Sequence, residues 1–156
     1  MKLSLVCVGR LSIGFLREGV ADYEARLKRY APLRVLELKE EKGGKNDPTF
    51  IRRQEGRRIL EKIPEGAFVI ALDERGSSLS SEDLAGLLER HMLQGTPELM
   101  LVIGGAYGLC DAVRQRADLV LSLSAMTLTH QMARLLLMEQ LYRGFTIVRN
   151  EPYHNR

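Results

Sequence analysis

Cysteine is scarce here: Cys7 and Cys110 are the only two, and they lie far apart in the chain. Two isolated thiols do not make a metal site, and Cys7 sits in an apolar stretch that reads as core. Closely spaced ligands are lacking too, so a metal hydrolase built on Asp73, Glu74 and a histidine is a poor fit and no metal is expected. No apolar run approaches the length of a membrane span, so no membrane partner is expected. The start, MKLSLVCVGR, lacks the long apolar region and cleavage site of a signal peptide and reads as a first buried strand. A reduced, cytoplasmic location follows as an expectation. Neither the P-loop pattern nor G-x-G-x-x-G occurs. Internal repeats, low-complexity segments and linkers are also missing, and residues 1–156 are expected to form one domain.

What is present is a globular composition, 45% hydrophobic and 28% charged. Charge is unevenly spread. Residues 1–62 carry fifteen Lys/Arg against nine Asp/Glu, while residues 63–156 carry eight against eleven. A cationic first part suits a polyanion, although a solvated surface accounts for it as well.

Along the chain, KLSLVCV (2–8) reads as a strand, and Val20, Tyr23, Leu27 and Tyr30 have helical spacing. Residues 33–38 alternate like an edge strand. Asp47-Pro48 starts a helix carrying Arg52, Arg53, Arg57 and Arg58. AFVIAL (67–72) and ELMLVI (98–103) are buried parallel strands, with Asp73–Ser78 a loop between the first of them and a helix capped by Ser80. A short helix, a strand at 119–121 and a helix from His130 to Phe145 complete an alternating α/β order with a mainly parallel sheet. That last helix is apolar nearly all round, more than one sheet can cover. A homodimer is therefore expected, with Leu137 as an outward position.

Four segments could carry chemistry. Gly104–Leu109 (GGAYGL) follows a buried strand, where ligands of α/β sheets bind, although a tight turn explains it too. Ser122–His130 (SLSAMTLTH) is too apolar for an exposed loop; its backbone groups could meet an adenine, or the loop could be tied to its own neighbours with Thr127 or Thr129 as a helix cap. Asp73 and Glu74 could be an acid–base pair, with solvated loop acids the plainer reading. The tail, Tyr153-His154-Asn155-Arg156, crowds an aromatic, an imidazole and a guanidinium together, and composition alone favours a frayed end.

The segments LVCVG, GGKN, LDERG, LVIGGAYGL, LSLSAMTLTH, LLLMEQLYRGF and PYHNR, in this order, resemble the RlmH family of SPOUT methyltransferases along the whole chain. The resemblance implies an α/β SPOUT fold with a C-terminal deep trefoil knot, which topology rules would have opposed. It implies a homodimer that binds S-adenosyl-L-methionine and methylates N3 of a pseudouridine in 23S ribosomal RNA, within the assembled ribosome. The cofactor loops then correspond to Leu72, to Gly104 and Gly105, and to Leu123, Ser124, Ala125, Met126, Thr127 and Leu128. His130 and Tyr153-His154 match positions tied to catalysis or substrate placement. Asn155 stands where relatives often place a basic residue, with Arg156 one later. His154 is the first choice as proton acceptor, Tyr153 as a stacking or hydrogen-bonding partner of the base, His130 as second choice, and Arg156 as a phosphate contact. Lys42, Lys45 and the four arginines from 52 to 58 form the expected RNA footprint. The rival reading is a non-catalytic nucleotide- or RNA-binding α/β module.

Overall fold

The computed structural model describes every residue except Gly44, Asn46 and Arg156. Five strands, β1 (Lys2–Val8), β2 (Leu33–Leu38), β3 (Phe68–Ser78), β4 (Glu98–Ile103) and β5 (Leu119–Ser122), alternate with α1 (Gly14–Leu27), α2 (Pro48–Leu60), α3 (Ser81–Leu93), α4 (Asp111–Arg116) and α5 (His130–Val148). The sheet is parallel throughout, in the order β2-β1-β4-β3-β5. The alternating strand of residues 33–38 is an edge, as its pattern predicts, and the continuous apolar runs lie inside.

Side chains of a strand point alternately to its two faces, and the core divides accordingly. Leu3, Leu5, Ile70, Leu99 and Leu101 pack with Leu16, Leu88 and Phe145 of α1, α3 and α5. Val6, Val8, Val69, Met100 and Val102 pack on the other side with Ile59 and Val113 of α2 and α4. Helices thus cover both faces, which is why the central strands carry no polar alternation. Each fully buried leucine or phenylalanine contributes roughly 1.5–3 kcal/mol of burial free energy.

Local signals set the helix starts. Asp47 accepts the Phe50 amide at 2.8 Å ahead of Pro48. Ser80 and Asp83 cap α3 reciprocally. Thr129 accepts the Met132 amide at 3.2 Å and opens α5.

Two expectations need correction. Residues 73–78 are not a free loop: β3 continues to Ser78, with a register shift after Leu72 before Ser77 and Ser78 pair with Leu121 and Ser122. After the shift the segment is held extended against β5. Leu137 is not outward; it is fully buried. The outward apolar positions of α5 are Met132 and Leu136, each 38% exposed, and Ile13 and Phe15 at the start of α1 are exposed as well.

Candidate functional site

Because all five strands are parallel, their carboxyl ends share one edge. On that edge the ends of β3, β4 and β5 surround a cleft of about 980 Å³. Leu72 comes from β3, Gly104 and Gly105 from the loop after β4, and Leu123, Ser124, Met126, Thr127 and Leu128 from the segment after β5. Ala125 is exposed and does not line it. The first residues of α5, with His130, and Arg52 and Arg53 of α2 complete the walls.

The walls are held by their own chemistry. The Gly108 amide donates to the Gly105 carbonyl at 3.0 Å, closing a tight turn. A Cβ on Gly104 would lie 2.8 Å from the Gly108 carbonyl, so this position has no room for any side chain. A Cβ on Gly105 would come within 2.9 Å of the Glu55 carboxylate. In the segment after β5, Ser122 Oγ donates to Ser124 O at 2.9 Å, Ser124 Oγ accepts the Met126 amide at 2.9 Å, and Thr127 Oγ1 donates to Glu74 at 3.0 Å. These bonds fix a ledge without a regular element.

Asp73 is not a solvated acid. Its side chain is only 8% exposed and sits 3.1 Å from Arg114 Nη1, which also donates to Leu109 O. Arg75 adds bonds of 3.0 and 3.1 Å to the same carboxylate. The Arg75 hydrogen bonds hold the Asp73 carboxyl below its ordinary range, against the opposing effect of burial. Asp73 therefore joins the end of β3 to the glycine loop, a clamp rather than an acid–base partner.

His130 is half-buried on the cleft wall, and burial, helped by the Arg134 charge, lowers its pKa. Its neutral imidazole is thus favoured near neutral pH and can accept a proton.

Tyr153 and His154 are docked on the body of the chain, away from this cleft. Tyr153 packs edge-on against Tyr142 at 4.7 Å, its hydroxyl lies 3.0 Å from that of Tyr23 and donates to Glu139 at 3.1 Å, and the Arg143 guanidinium covers its ring. Burial first, then the Tyr23 and Glu139 hydrogen bonds, raises the Tyr153 pKa. His154 lies 3.2 Å from Arg143 and 3.2 Å from Glu82. Arg143 is thirteen residues along α5 from His130, roughly 20 Å at 1.5 Å per residue. Within one chain the structure brings His130 to the cleft and leaves Tyr153 and His154 at the other end of α5. Arg156 lies outside the described residues.

Of the basic residues, Arg52 and Arg53 reach the cleft, and Arg57 is exposed. Lys42 and Lys45 are exposed in the loop before α2. Arg58 is committed to Glu41 and, at 2.9 Å, to the Lys39 carbonyl. Sequence reasoning missed two buried ionic groups, Glu55 and Arg134. A lone arginine inside LLLMEQ-type apolar surroundings was the available signal for the second. Among the described residues no cluster of His, Cys, Asp and Glu could hold a metal ion, and no helix is long and apolar enough to cross a membrane.

A five-stranded parallel sheet with helices on both faces is the architecture of SPOUT methyltransferases. A family model described as "Predicted SPOUT methyltransferase" matches residues 1–154, and the chain belongs to that family. More narrowly, it is 78% identical over 156 residues, covering all of both chains, to Ribosomal RNA large subunit methyltransferase H of Syntrophotalea carbinolica. It is 47% identical to the protein of the same name from Geobacter sp. strain M21, over 99% of both chains. Among solved structures, a probable methyltransferase from Bordetella pertussis superposes with a TM-score of 0.57 at 13% identity, covering 92% of this chain and 95% of that one. A tRNA (m1G37) methyltransferase from Aquifex aeolicus gives 0.57 at 14% identity, covering 100% and 77%. These two structural likenesses speak for the fold.

Proposed function

We propose that this chain acts in the cytoplasm as a homodimeric methyltransferase, transferring the methyl group of S-adenosyl-L-methionine to N3 of a pseudouridine in 23S ribosomal RNA of the assembled ribosome. The reading takes residues 1–156 as one domain whose C-terminal part forms the trefoil knot of the SPOUT fold. Its main support is the convergence of Leu72, Gly104-Gly105, Leu123, Ser124 and Met126–Leu128 on one cleft, in a chain whose relatives carry the large-subunit methyltransferase name.

The residues suit the cofactor. Leu72, Leu123 and Leu128 offer apolar contact for an adenosine, and the backbone of the glycine loop and of the ledge offers polar groups at fixed positions. When bound, S-adenosyl-L-methionine supplies an activated methyl group. The protein's task is then to align the acceptor and exclude water. Once N3 had given up its proton, transfer would form the N–C bond as the sulfonium C–S bond broke. His130 stands where a proton acceptor is useful. Tyr153 and His154 can serve a cleft only on a second copy of the chain, which agrees with a two-fold pair built on the exposed Phe15, Met132 and Leu136.

The test is calorimetry with S-adenosyl-L-methionine, followed by methyl transfer to ribosomes from a strain lacking this methylation and nucleoside analysis of the product. N3-methylpseudouridine is the expected product. No cofactor binding, or no transfer to any ribosomal RNA, would defeat the reading in favour of a non-catalytic RNA-binding module.

A further inference from the structure

The carboxyl edge of the sheet has a second opening, of about 370 Å³, between the ends of β1 and β2. Gly9, Arg10 and Ser12 follow β1 into it, Lys39 and Glu40 follow β2, and His130 with Gln131 closes it from α5. His130 also lines the cofactor cleft, so one imidazole is the shared wall of two cavities.

Topology explains the adjacency. From β1 the chain steps outward to β2, whereas β4 is flanked by β3 and then β5. The crevice at such a reversal is where α/β sheets take their ligands. The small opening lies on one side of that crevice and the cofactor cleft on the other.

The opening is built, not incidental. Gly9 has φ +89°, and a Cβ there would lie 3.6 Å from both Glu40 Oε2 and His130 Cε1, in the space between them. Its carbonyl accepts from buried Arg134 at 3.1 Å. Gln131 fixes the opposite rim, accepting the Ser12 and Ile13 amides at 2.9 and 3.1 Å and donating to Ser12 Oγ at 2.9 Å. Arg10, Lys39 and Glu40, all exposed, line it, and the Glu40 carboxylate lies next to Gly9.

We propose that this opening, resting on the methyltransferase reading above, receives the acceptor base, with Arg10 and Lys39 on its flanking phosphates and Glu40 accepting a hydrogen bond from the base. A base drawn out of its stack needs a pocket with groups for its polar edge. Pseudouridine is joined to its sugar through carbon and therefore carries two ring N–H groups, where uridine carries one. A carboxylate accepts but cannot donate, so Glu40 suits the additional N–H, leaving N3 toward His130 and the cofactor cleft.

Three variants test this: Ser12→Phe, which fills the opening, Glu40→Ala, and Arg10→Ala with Lys39→Ala. Each is assayed for S-adenosylhomocysteine binding by calorimetry, for ribosome binding by filter retention, and for methyl transfer. Cofactor-product affinity is expected to stay within about threefold of wild type in all three. Ser12→Phe should keep ribosome binding and lose turnover. Glu40→Ala should lose roughly 10- to 100-fold in kcat/KM, the cost of one hydrogen bond to a charged group. The double variant should weaken ribosome binding. Glu40→Ala and the double variant alter exposed side chains, so they remain decisive if Ser12→Phe does not fold. Wild-type kcat/KM in Glu40→Ala, or wild-type ribosome affinity in the double variant, overturns the proposal. A wild-type protein that binds no cofactor or methylates no ribosome refutes the underlying methyltransferase reading instead.

Discussion

Arg134 reaches across 97 residues of sequence to Glu37, its Nη1 2.6 Å from Oε2, and so ties the second turn of α5 to the end of β2. The guanidinium is only 3% exposed and its Nε has no partner among the described residues, so Glu37 and the Gly9 carbonyl carry its compensation.

Removing that partner should therefore be costly. Breaking a buried pair by deleting one member typically costs 3–5 kcal/mol; Glu37 is 42% exposed, which screens the pair and lowers the expectation to about 1–3 kcal/mol. Chemical denaturation of Glu37→Ala measures it. Burial alone would raise the Glu37 pKa, but the Arg134 hydrogen bond and charge outweigh it and the net shift is downward. Glu37 thus contributes stability above its ordinary pKa and loses it as pH falls through the lowered one. The gap between wild type and variant should narrow in acid, and a gap independent of pH would remove the ionic explanation.

Glu55 carries the opposite sign. Burial raises its pKa above the ordinary 4.5, and Oε1 has no hydrogen-bond partner among the described residues. The folded state then holds its proton more tightly than the unfolded chain, so stability falls as pH rises from the unfolded pKa to the folded one. Glu55→Gln keeps an acceptor for the Glu41 amide, now at 3.0 Å, and removes the charge. The variant should melt higher than wild type at pH 8 and converge with it near pH 4. A lower melting temperature at pH 8 would show that the carboxylate is compensated.

Truncation at Pro152 should be felt in stability as well as activity. Tyr153 contributes aromatic packing on Tyr142 and two hydroxyl contacts; being partly buried, it falls below the roughly 1.5–3 kcal/mol of a fully buried side chain. The shortened chain should still fold and bind the cofactor product, while methyl transfer falls about 10²–10⁴-fold if the tail supplies an acid–base group. His154→Ala separates chemistry from packing. Full methylation by the truncated protein would leave His130 as the proton acceptor.

Charge on the outward face of α5 should dissociate the proposed pair. Leu136→Glu, at a 38% exposed position, should halve the mass seen by light scattering at micromolar concentration and leave the secondary structure unchanged. An unaltered dimer would locate the interface elsewhere.

Gly104→Ala should reshape the glycine loop, because the new Cβ would meet the Gly108 carbonyl at 2.8 Å. Cofactor affinity should drop by at least about tenfold, a change of 1.4 kcal/mol, and because Gly104 is buried the binding is measured well below the variant's own melting temperature. Unchanged affinity would show that the loop does not touch the cofactor.

The order of elements was legible in the sequence because each boundary has a local cause: Asp47-Pro48 and Ser80 announce helices, and AFVIAL announces a buried strand. The continuation of β3 past Leu72 was not legible, since DERGSS has turn-like composition and is held extended by β5, whose partners lie 44 residues further on. The candidate cofactor segments could be proposed from glycine and Ser/Thr content at strand ends. Their convergence depends on strand order, which periodicity does not encode. The docking of Tyr153 depends on Tyr23, Tyr142 and Glu139 meeting in space, and Leu137 looked outward only because an all-apolar helix hides which side faces the sheet.

The position of β1 also has a consequence for how the chain is made. It is synthesised first, yet it is an interior strand, and its Lys2 pairs with Glu98, 96 residues later. At about 5–20 residues per second, one flank of Leu3, Leu5 and Val6 waits roughly 5–20 s for its neighbour. Pairings of such wide sequence separation also form slowly once both strands exist. The nascent protein therefore carries an open, apolar strand for seconds, and its yield in a cell should depend on factors that shield nascent chains.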